Sequence, residues 1–347
     1  MRIFYFSGTG NAKKVAEWMN EYANEKGVAS EAIDISKMEN RSIQPLPNEI
    51  LGLISPTHGF NYPPIMINFV FRFPRTKFKN DVFIMNTRAG MKLSKLFLPG
   101  LSGITLLLAA ITLRIKGYRI VGMRSIDLPS NWISLHPGLK EKVVLSMHER
   151  CKKISIAFID KMINRKKNYR ALYDLPLDLL ISPIALGYYF IGRFVLAKTF
   201  YASASCDNCM LCINQCPVKA IKLVANRPFW SYRCESCMKC MNNCPKRSIE
   251  TAHGYLIGSI ILLNSTIFAV IYKYLSNSRY FNITGDSVME SLLRITLEST
   301  FLLAFLILSY RIVHYLRKFR IFEWLIVYTS LTKFNFWRRY KAPKEIK

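Results

Sequence analysis

The sequence predicts an α/β protein: a doubly wound parallel sheet, then a small α+β cysteine-rich module, then a C-terminal pair of apolar helices. Three observations carry that expectation. The first 150 residues alternate short apolar runs with helical ones, and the first apolar run ends in a loop of small residues. Eight of the nine cysteines fall into two copies of Cys-x2-Cys-x2-Cys-x3-Cys-Pro. Roughly the last hundred residues hold two apolar runs of membrane-spanning length.

Residues 2–6 are apolar and aromatic and read as a short buried strand, followed at once by Ser7-Gly8-Thr9-Gly10-Asn11-Ala12. Lys13–Ala23 then reads as a helix with Val15, Met19 and Ala23 on one face. A strand, a loop of small residues and a helix N-terminus make an anion site, because backbone N–H groups and the positive end of the helix dipole face one point. The hydroxyls of Ser7 and Thr9 add two donors. Ala32–Ile35, Ile50–Ser55, Asp81–Asn86 and Tyr118–Met123 are the remaining strand candidates. Doubly wound sheets bind ligands at the carboxyl ends of such strands. Two loops are expected there: Pro56-Thr57-His58-Gly59-Phe60-Asn61-Tyr62 and Thr87-Arg88-Ala89-Gly90. Leu101–Leu113 is apolar almost all round, which suits packing on protein or an interface better than a solvated surface.

The Ser7–Ala12 loop resembles the FMN-phosphate loop of flavodoxins, whose pattern is roughly S/T-x-T-G-x-T/S. It matches at Ser7, Thr9 and Gly10 and departs at Ala12, which lacks the last hydroxyl. The resemblance implies an FMN site. Phe60 or Tyr62 would stack on the flavin ring, Gly59 would permit the backbone flip that accompanies N5 protonation, and Thr87–Gly90 would be the second ring loop. His58 is read as a loop residue rather than a catalyst.

The cysteine runs are Cys206, Cys209, Cys212 and Cys216 before Pro217, and Cys234, Cys237, Cys240 and Cys244 before Pro245. Structural zinc modules separate their cysteine pairs by a dozen or more residues, and disulfides belong to oxidising compartments. Here three cysteines are evenly spaced, the fourth precedes proline, and the whole pattern recurs 28 positions later, with Ile221 and Ile249 in matching places. This resembles the bacterial two-cluster ferredoxins, in which three cysteines of a run hold one [4Fe–4S] cube and the fourth ligates the other. The resemblance implies Cys206, Cys209, Cys212 and Cys244 on one cluster, and Cys234, Cys237, Cys240 and Cys216 on the second. Cys151 reads as a lone free thiol.

Lys and Arg number 49 against 22 Asp and Glu, a formal charge of +27, although 51% of residues are hydrophobic and mean hydropathy is +0.14. Such a charge attracts polyanions; an anionic lipid membrane is the expected partner, and no nucleic-acid motif is present. The organisation reads as 1–150 flavodoxin-like, 151–200 a basic and apolar helical linker at or near the membrane interface, 201–252 the two-cluster domain, 253–316 a transmembrane hairpin, and 317–347 a basic, aromatic-rich tail. The spans are about Tyr255–Tyr272 and Ile295–Val313, and Phe322–Phe336 is expected to lie along the inner surface. Basic residues concentrate outside the connecting loop, which puts both ends of the hairpin in the cytoplasm. The N-terminus reads as lacking a signal peptide, and thiolates need a reducing compartment, which agrees. Leu175–Ala197 is long enough to span but contains Asp178, Pro183 and Arg193. A single crossing there would put flavin and clusters on opposite sides, so it is read as interfacial or packed on protein. His253 and His314 would meet at one edge of the hairpin, and Glu298 has Arg294 one turn away as a salt-bridge partner.

Over residues 1–250 this order resembles the flavodoxin–ferredoxin fusion proteins of anaerobic bacteria. The resemblance implies an oxidoreductase-type electron carrier in the cytoplasmic membrane, passing electrons between FMN and two [4Fe–4S] clusters and serving redox donor and acceptor proteins. Two alternatives stand beside it: a flavin/iron–sulfur reductase of a quinone or small cytoplasmic acceptor, and an assembly subunit with structural clusters. No catalytic nucleophile or base is visible in the sequence.

Overall fold

The structure is a computed structural model in which residues 1–38, 43–130, 132–270, 273 and 288–337 are described. The chain divides into two compact units: Met1–Tyr189 with Cys237–Asn242 and Phe336–Lys347, and Phe190–Ser236 with Asn243–Asn335.

The first unit is built on strands β1 (Arg2–Tyr5), β2 (Glu31–Asp34), β3 (Ile50–Pro56), β4 (Asp81–Leu93) and β6 (Arg119–Pro129), all parallel, with β5 (Leu96–Leu98) antiparallel on the end of β4. Counting the five parallel strands alone, the order is 2-1-3-4-5, which is the flavodoxin-like arrangement. Helices α1 (Asn11–Glu25), α2 (Pro64–Arg72), α3 (Thr105–Ile115) and α4 (Glu141–Ile163) cover both faces. Successive strand side chains point to opposite faces, so each strand feeds two cores. Ile3, Tyr5, Phe83 and Met85 pack with Val15, Trp18, Phe158 and Ile159 of α1 and α4. Phe4, Leu51, Leu53, Val82 and Ile84 pack with Met66, Val70, Leu106 and Leu113 of α2 and α3. Burial on both faces explains the continuous apolar runs in place of alternation.

Two strands run past their expected ends. β4 and β6 keep pairing from Thr87↔Ile126 to Gly90↔Pro129, so Thr87–Gly90 is strand where a loop was expected. The segment expected to be linker from residue 151 also belongs to the sheet unit. α4 presents Val144, Met147, Cys151, Ser155, Phe158 and Met162 at three- and four-residue spacing to the core, while Lys142, Lys152, Lys153 and Lys161 face outward. The division at residue 150 therefore cuts a core helix. Leu101–Leu113 shortens to α3, with Leu106, Ala109 and Leu113 buried.

Leu175–Ala197 is not a straight helix: it is broken after Leu180, with a bend of 76° to Ser182–Ala197. Pro183 sits at the start of the next helix, where a missing N–H costs nothing. Asp178 accepts the backbone N–H groups of Ser102 (3.1 Å) and Gly103 (2.8 Å), which ties Leu175–Leu180 to the first unit.

In the second unit β7 (Phe200–Ala202) pairs antiparallel with β10 (Ile249–Thr251), and β8 (Ile221–Val224) forms a hairpin with β9 (Arg227–Trp230). Ile221 and Ile249, the matched positions of the repeat, each open a strand. The backbone repeats too. Asn208, Met210 and Lys219 have positive φ (57°, 61°, 50°), and so do Ser236, Met238 and Arg247 (52°, 59°, 51°), each 28 positions on. Fully buried Lys198 donates to the Trp230 carbonyl (2.7 Å) amid the rings of Tyr232, Tyr310 and Phe229, and burial brings its pKa down to about 8.

Among the described residues one helix, Val288–Leu316, is long and apolar enough to cross a membrane, and little of it is buried. His253–Leu262 packs beside it, with Tyr255 Oη and Ser309 Oγ 2.5 Å apart and Phe268 edge-on to Phe301. Ile271, Tyr272 and most of the connecting loop lie outside the described residues, as does the tail beyond Trp337. Arg294 pairs with Glu298 at 2.9 Å. The two histidines are engaged by the fold: His253 Nδ1 accepts the Leu331 N–H and His314 Nε2 bonds the Val224 carbonyl. Arg320–Tyr328 buries Ile326 against Tyr201 and Ala252 and exposes Ile321, Trp324 and Leu325. Its Glu323 carboxylate takes Arg317, Arg227 and the Ala204 N–H, giving the buried Arg317 guanidinium its counter-charge.

Two outcomes follow for stability. A Cβ on Gly52 would overlap the Phe83 ring at the centre of the sheet, so Gly52→Ala is expected to cost about 1–3 kcal/mol of overpacking in urea denaturation. His148 is buried edge-on to Trp18 with neither ring nitrogen hydrogen-bonded, and burial together with Lys14 lowers its pKa to about 4. The unfolded chain, with an ordinary histidine pKa near 6.5, takes up that proton first. Stability from neutral His148 is full above about pH 6.5 and is lost as pH falls toward 4, with a slope of at most about 1.4 kcal/mol per pH unit. Denaturation midpoints across that window should fall in the wild type and flatten in His148→Phe.

Candidate functional site

At the carboxyl ends of β1, β3, β4 and β6 the first unit holds a cavity of about 530 Å³, inside the range of about 300–1,000 Å³ typical of small-molecule and cofactor sites. One end is the loop after β1. Gly10 takes φ 108° at the start of α1, no side chain caps that helix, and Gly10 N–H donates to Ser7 Oγ at 3.0 Å. A hydroxyl that accepts this bond keeps its proton for an acceptor beyond. Asn11 Nδ2 is committed to the Pro129 carbonyl at 2.9 Å, which ties the loop to the end of β6.

The other end is an aromatic wall. His58–Asn61 is a tight turn closed by two backbone bonds, with Gly59 (φ 53°) and Phe60 (φ 64°) both left-handed at its tip. His58 stacks on Trp132 (5.7 Å, 20°), and Trp132 meets Tyr188 edge-on at 5.4 Å. A Cβ on Gly59 would overlap the Tyr188 ring, so this glycine serves both the turn and the wall.

Of the expected residues, Ser7, Gly8, Thr9, Asn11, Ala12, Thr57, His58, Gly59, Phe60, Thr87, Arg88 and Ala89 line the cavity. Gly10, Asn61, Tyr62 and Gly90 do not. Tyr62 corrects the expectation of ring stacking: it is 2% exposed in the core, and its hydroxyl donates to the Met85 carbonyl at 2.7 Å. Arg88 is neutralised by Asp127 (2.7 Å) and Asp174 (2.6 Å).

Sequence reasoning missed Trp132, His136, Tyr188, Cys237 and Met238, all on the cavity wall. Trp132 was findable, because Ser130–His136 follows the last strand's carboxyl end. Nothing local marks Tyr188 or Cys237. A Cβ on Gly8 would collide with the Cys237 carbonyl, so that close approach requires glycine.

In the second unit Cys206, Cys209, Cys212 and Cys244 line one pocket with Pro245 and Ile249. Burial first, then the neighbouring Cys206, Cys244 and Cys209, push the Cys212 thiol up to about 11. The cysteine before each proline accepts the N–H four residues on: Ala220 to Cys216 Sγ at 3.2 Å and Ser248 to Cys244 Sγ at 3.4 Å. Cys216 and Cys234 belong to the second unit, and Cys237 and Cys240 to the first. Among the described residues no disulfide joins the cysteines. Among the described residues no three His, Cys, Asp or Glu side chains are placed to hold one metal ion. Sulfurs around one zinc stand about 3.8 Å apart, given Zn–S bonds of about 2.3 Å; a cube needs them spread more widely.

No protein-family model matches the chain, and no curated protein matches it. Solved structures to which it is similar include rubredoxin oxygen:oxidoreductase from the anaerobe Desulfovibrio gigas, at 12% identity and TM-score 0.31 over 47% of this chain and 36% of that one. Flavodoxin 1 from Bacillus cereus is similar at 15% identity and TM-score 0.31, over 46% of this chain and 96% of that one. A flavone reductase is similar at 11% identity and TM-score 0.33, over 81% of this chain and 100% of that one. At these levels the flavodoxin-like character of the first unit stands on its own strand order.

Proposed function

We propose that the chain is a membrane-anchored electron-transfer protein whose first unit binds FMN and whose cysteine runs bind two [4Fe–4S] clusters. The observation that carries this reading is that Cys237 and Met238 of the second cysteine run form part of the same cavity wall as the Ser7–Ala12 loop. A ligand of one redox centre would then also be a wall of the other.

FMN, when bound, supplies one- and two-electron chemistry, and each cluster supplies one electron. The residues have the following parts. Ser7 and the open N-terminus of α1 would donate to the phosphate. Trp132, Tyr188 and Phe60 would cover the ring and exclude water from it. Arg88, paired with two carboxylates, would place no net positive charge beside the ring. Cys206, Cys209, Cys212 and Cys244 would hold the first cluster, and Cys234, Cys237, Cys240 and Cys216 the second. The N–H bonds to Cys216 and Cys244 stabilise sulfur charge, and such bonds tune cluster potentials.

Anchoring is supported by Val288–Leu316 with its exposed Ile295, Phe301 and Leu308, and by the apolar face of Arg320–Tyr328. The net charge of +27 suits an anionic bilayer, with the redox units and C-terminus on its cytoplasmic side.

The test is anaerobic purification followed by iron and flavin analysis and by visible and EPR spectra during stepwise reduction. About one FMN and about eight irons per chain are expected, the latter as two cubes. Cys209→Ser should roughly halve the iron and leave the flavin. A chain carrying zinc, or clusters without flavin, would overturn the proposal.

A further inference from the structure

A second cavity of the first unit, about 250 Å³, opens beside α4 and has no part in the reading above. Four arginines line it: Arg88 and Arg124 from the sheet, Arg150 from α4, and Arg170. Its carboxylates, Asp127 and Asp174, are both spent on Arg88, and Asp127 also accepts the Gly100 N–H at 2.8 Å. Among the described residues Arg124, Arg150 and Arg170 make no ion pair. Arg124 is the most buried of these three, and its Nε has no acceptor. Burial lowers its pKa, and Arg170, Arg88 and Arg150 lower it further while Asp127 opposes them. Arg150 and Arg170 form a more exposed rim, Arg150 resting on the Phe97 ring at 4.2 Å.

Converging guanidiniums repel one another, and a buried donor with no acceptor costs free energy. A fold bears that cost where a ligand repays it. Guanidinium groups fork onto tetrahedral oxyanions through paired N–H donors, and an always-charged cation is the residue type suited to phosphate recognition. We propose that this cavity is a binding site for a phosphate ester or diphosphate group, carried by a soluble small molecule or by a lipid headgroup, with Arg124, Arg150 and Arg170 as its ligands. The site is separate from the Ser7–Ala12 loop and does not depend on the flavin or cluster assignments. Arg88 and Pro99 line both cavities, so an anion bound here would touch the wall of the other.

The experiment uses the full chain loaded with FMN, freed of unbound FMN by gel filtration and held in phosphatidylcholine nanodiscs, then titrated with inorganic pyrophosphate and followed by thermal shift and calorimetry. Pyrophosphate should bind, more weakly as ionic strength rises, with affinity at least tenfold lower in Arg124→Gln/Arg170→Gln. A second arm replaces pyrophosphate by phosphatidylglycerol in the disc; an arginine-dependent rise in melting temperature there alone assigns the lipid source. With neither anion present, Arg124→Gln should melt higher than wild type, which a merely structural arginine would not do. Binding of neither anion overturns the proposal. So does binding unchanged in the double variant, or binding lost instead in Thr9→Val.

Discussion

β4 and β6 remain paired after β3 has ended at Pro56↔Thr87, continuing from Arg88↔Asp127 to Gly90↔Pro129. This extension decides what the binding face of the first unit looks like. It sets Arg88 against Asp127 and brings Pro129 to where Asn11 holds it. The Ser130–His136 segment then enters beside the cavity, carrying Trp132. Removing one partner of a buried ion pair costs roughly 3–5 kcal/mol, and Arg88 is 6% exposed. The same interaction thus fixes both the register of the extended ladder and the shared wall of the two cavities.

Buried cations recur in both units, and the way each is compensated separates structure from function. Arg88 has two carboxylates, and Arg317 has Glu323 and the Ala202 carbonyl. Lys198 has a carbonyl and three aromatic faces, a compensation of the cation–π kind. Each of these charges has a carboxylate, a carbonyl or an aromatic face beside it within the fold. Half-buried Arg124 has no ion pair: its neighbours are mostly of its own sign, and its Nε has no acceptor. Arg317 also keeps one nitrogen without an acceptor, but beside the Glu323 carboxylate; Arg124 differs in making no ion pair, and a bound anion would supply one.

Much of this was legible in the sequence where the signal is local. β1, β3 and the loop after β1 are contiguous, and a strand–small loop–helix pattern names its own geometry. The second cysteine run lies 28 residues after the first, and the left-handed positions within and just after each run repeat with it. Signals that depend on pairing were not legible. Thr87–Gly90 reads as loop because glycine and alanine lack strand propensity, yet β6 supplies the partner that keeps it extended. Tyr62 reads as a loop aromatic, but a hydroxyl within reach of the Met85 carbonyl lets it enter the core. The basic composition of 140–170 hid a core helix, because six apolar positions suffice to bury one face while the charges occupy the other.

The two cysteine runs share one backbone pattern but not one environment. The first run closes a pocket from Cys206, Cys209 and Cys212 with Cys244, all within the second unit. In the second run Cys237–Asn242 is counted with the first unit, where Ser134 Oγ lies 3.4 Å from Met238 Sδ and Gly8 leaves room for the Cys237 carbonyl. A duplicated motif needs only one copy to make such a contact, and the copies then differ in burial and hydrogen bonding around sulfur. Those are the variables that set a cluster's potential. On the proposed reading, two clusters held by the same residue spacing would therefore differ in potential, and the run whose Cys237 lines the flavin-sized cavity would be the one placed to exchange electrons there.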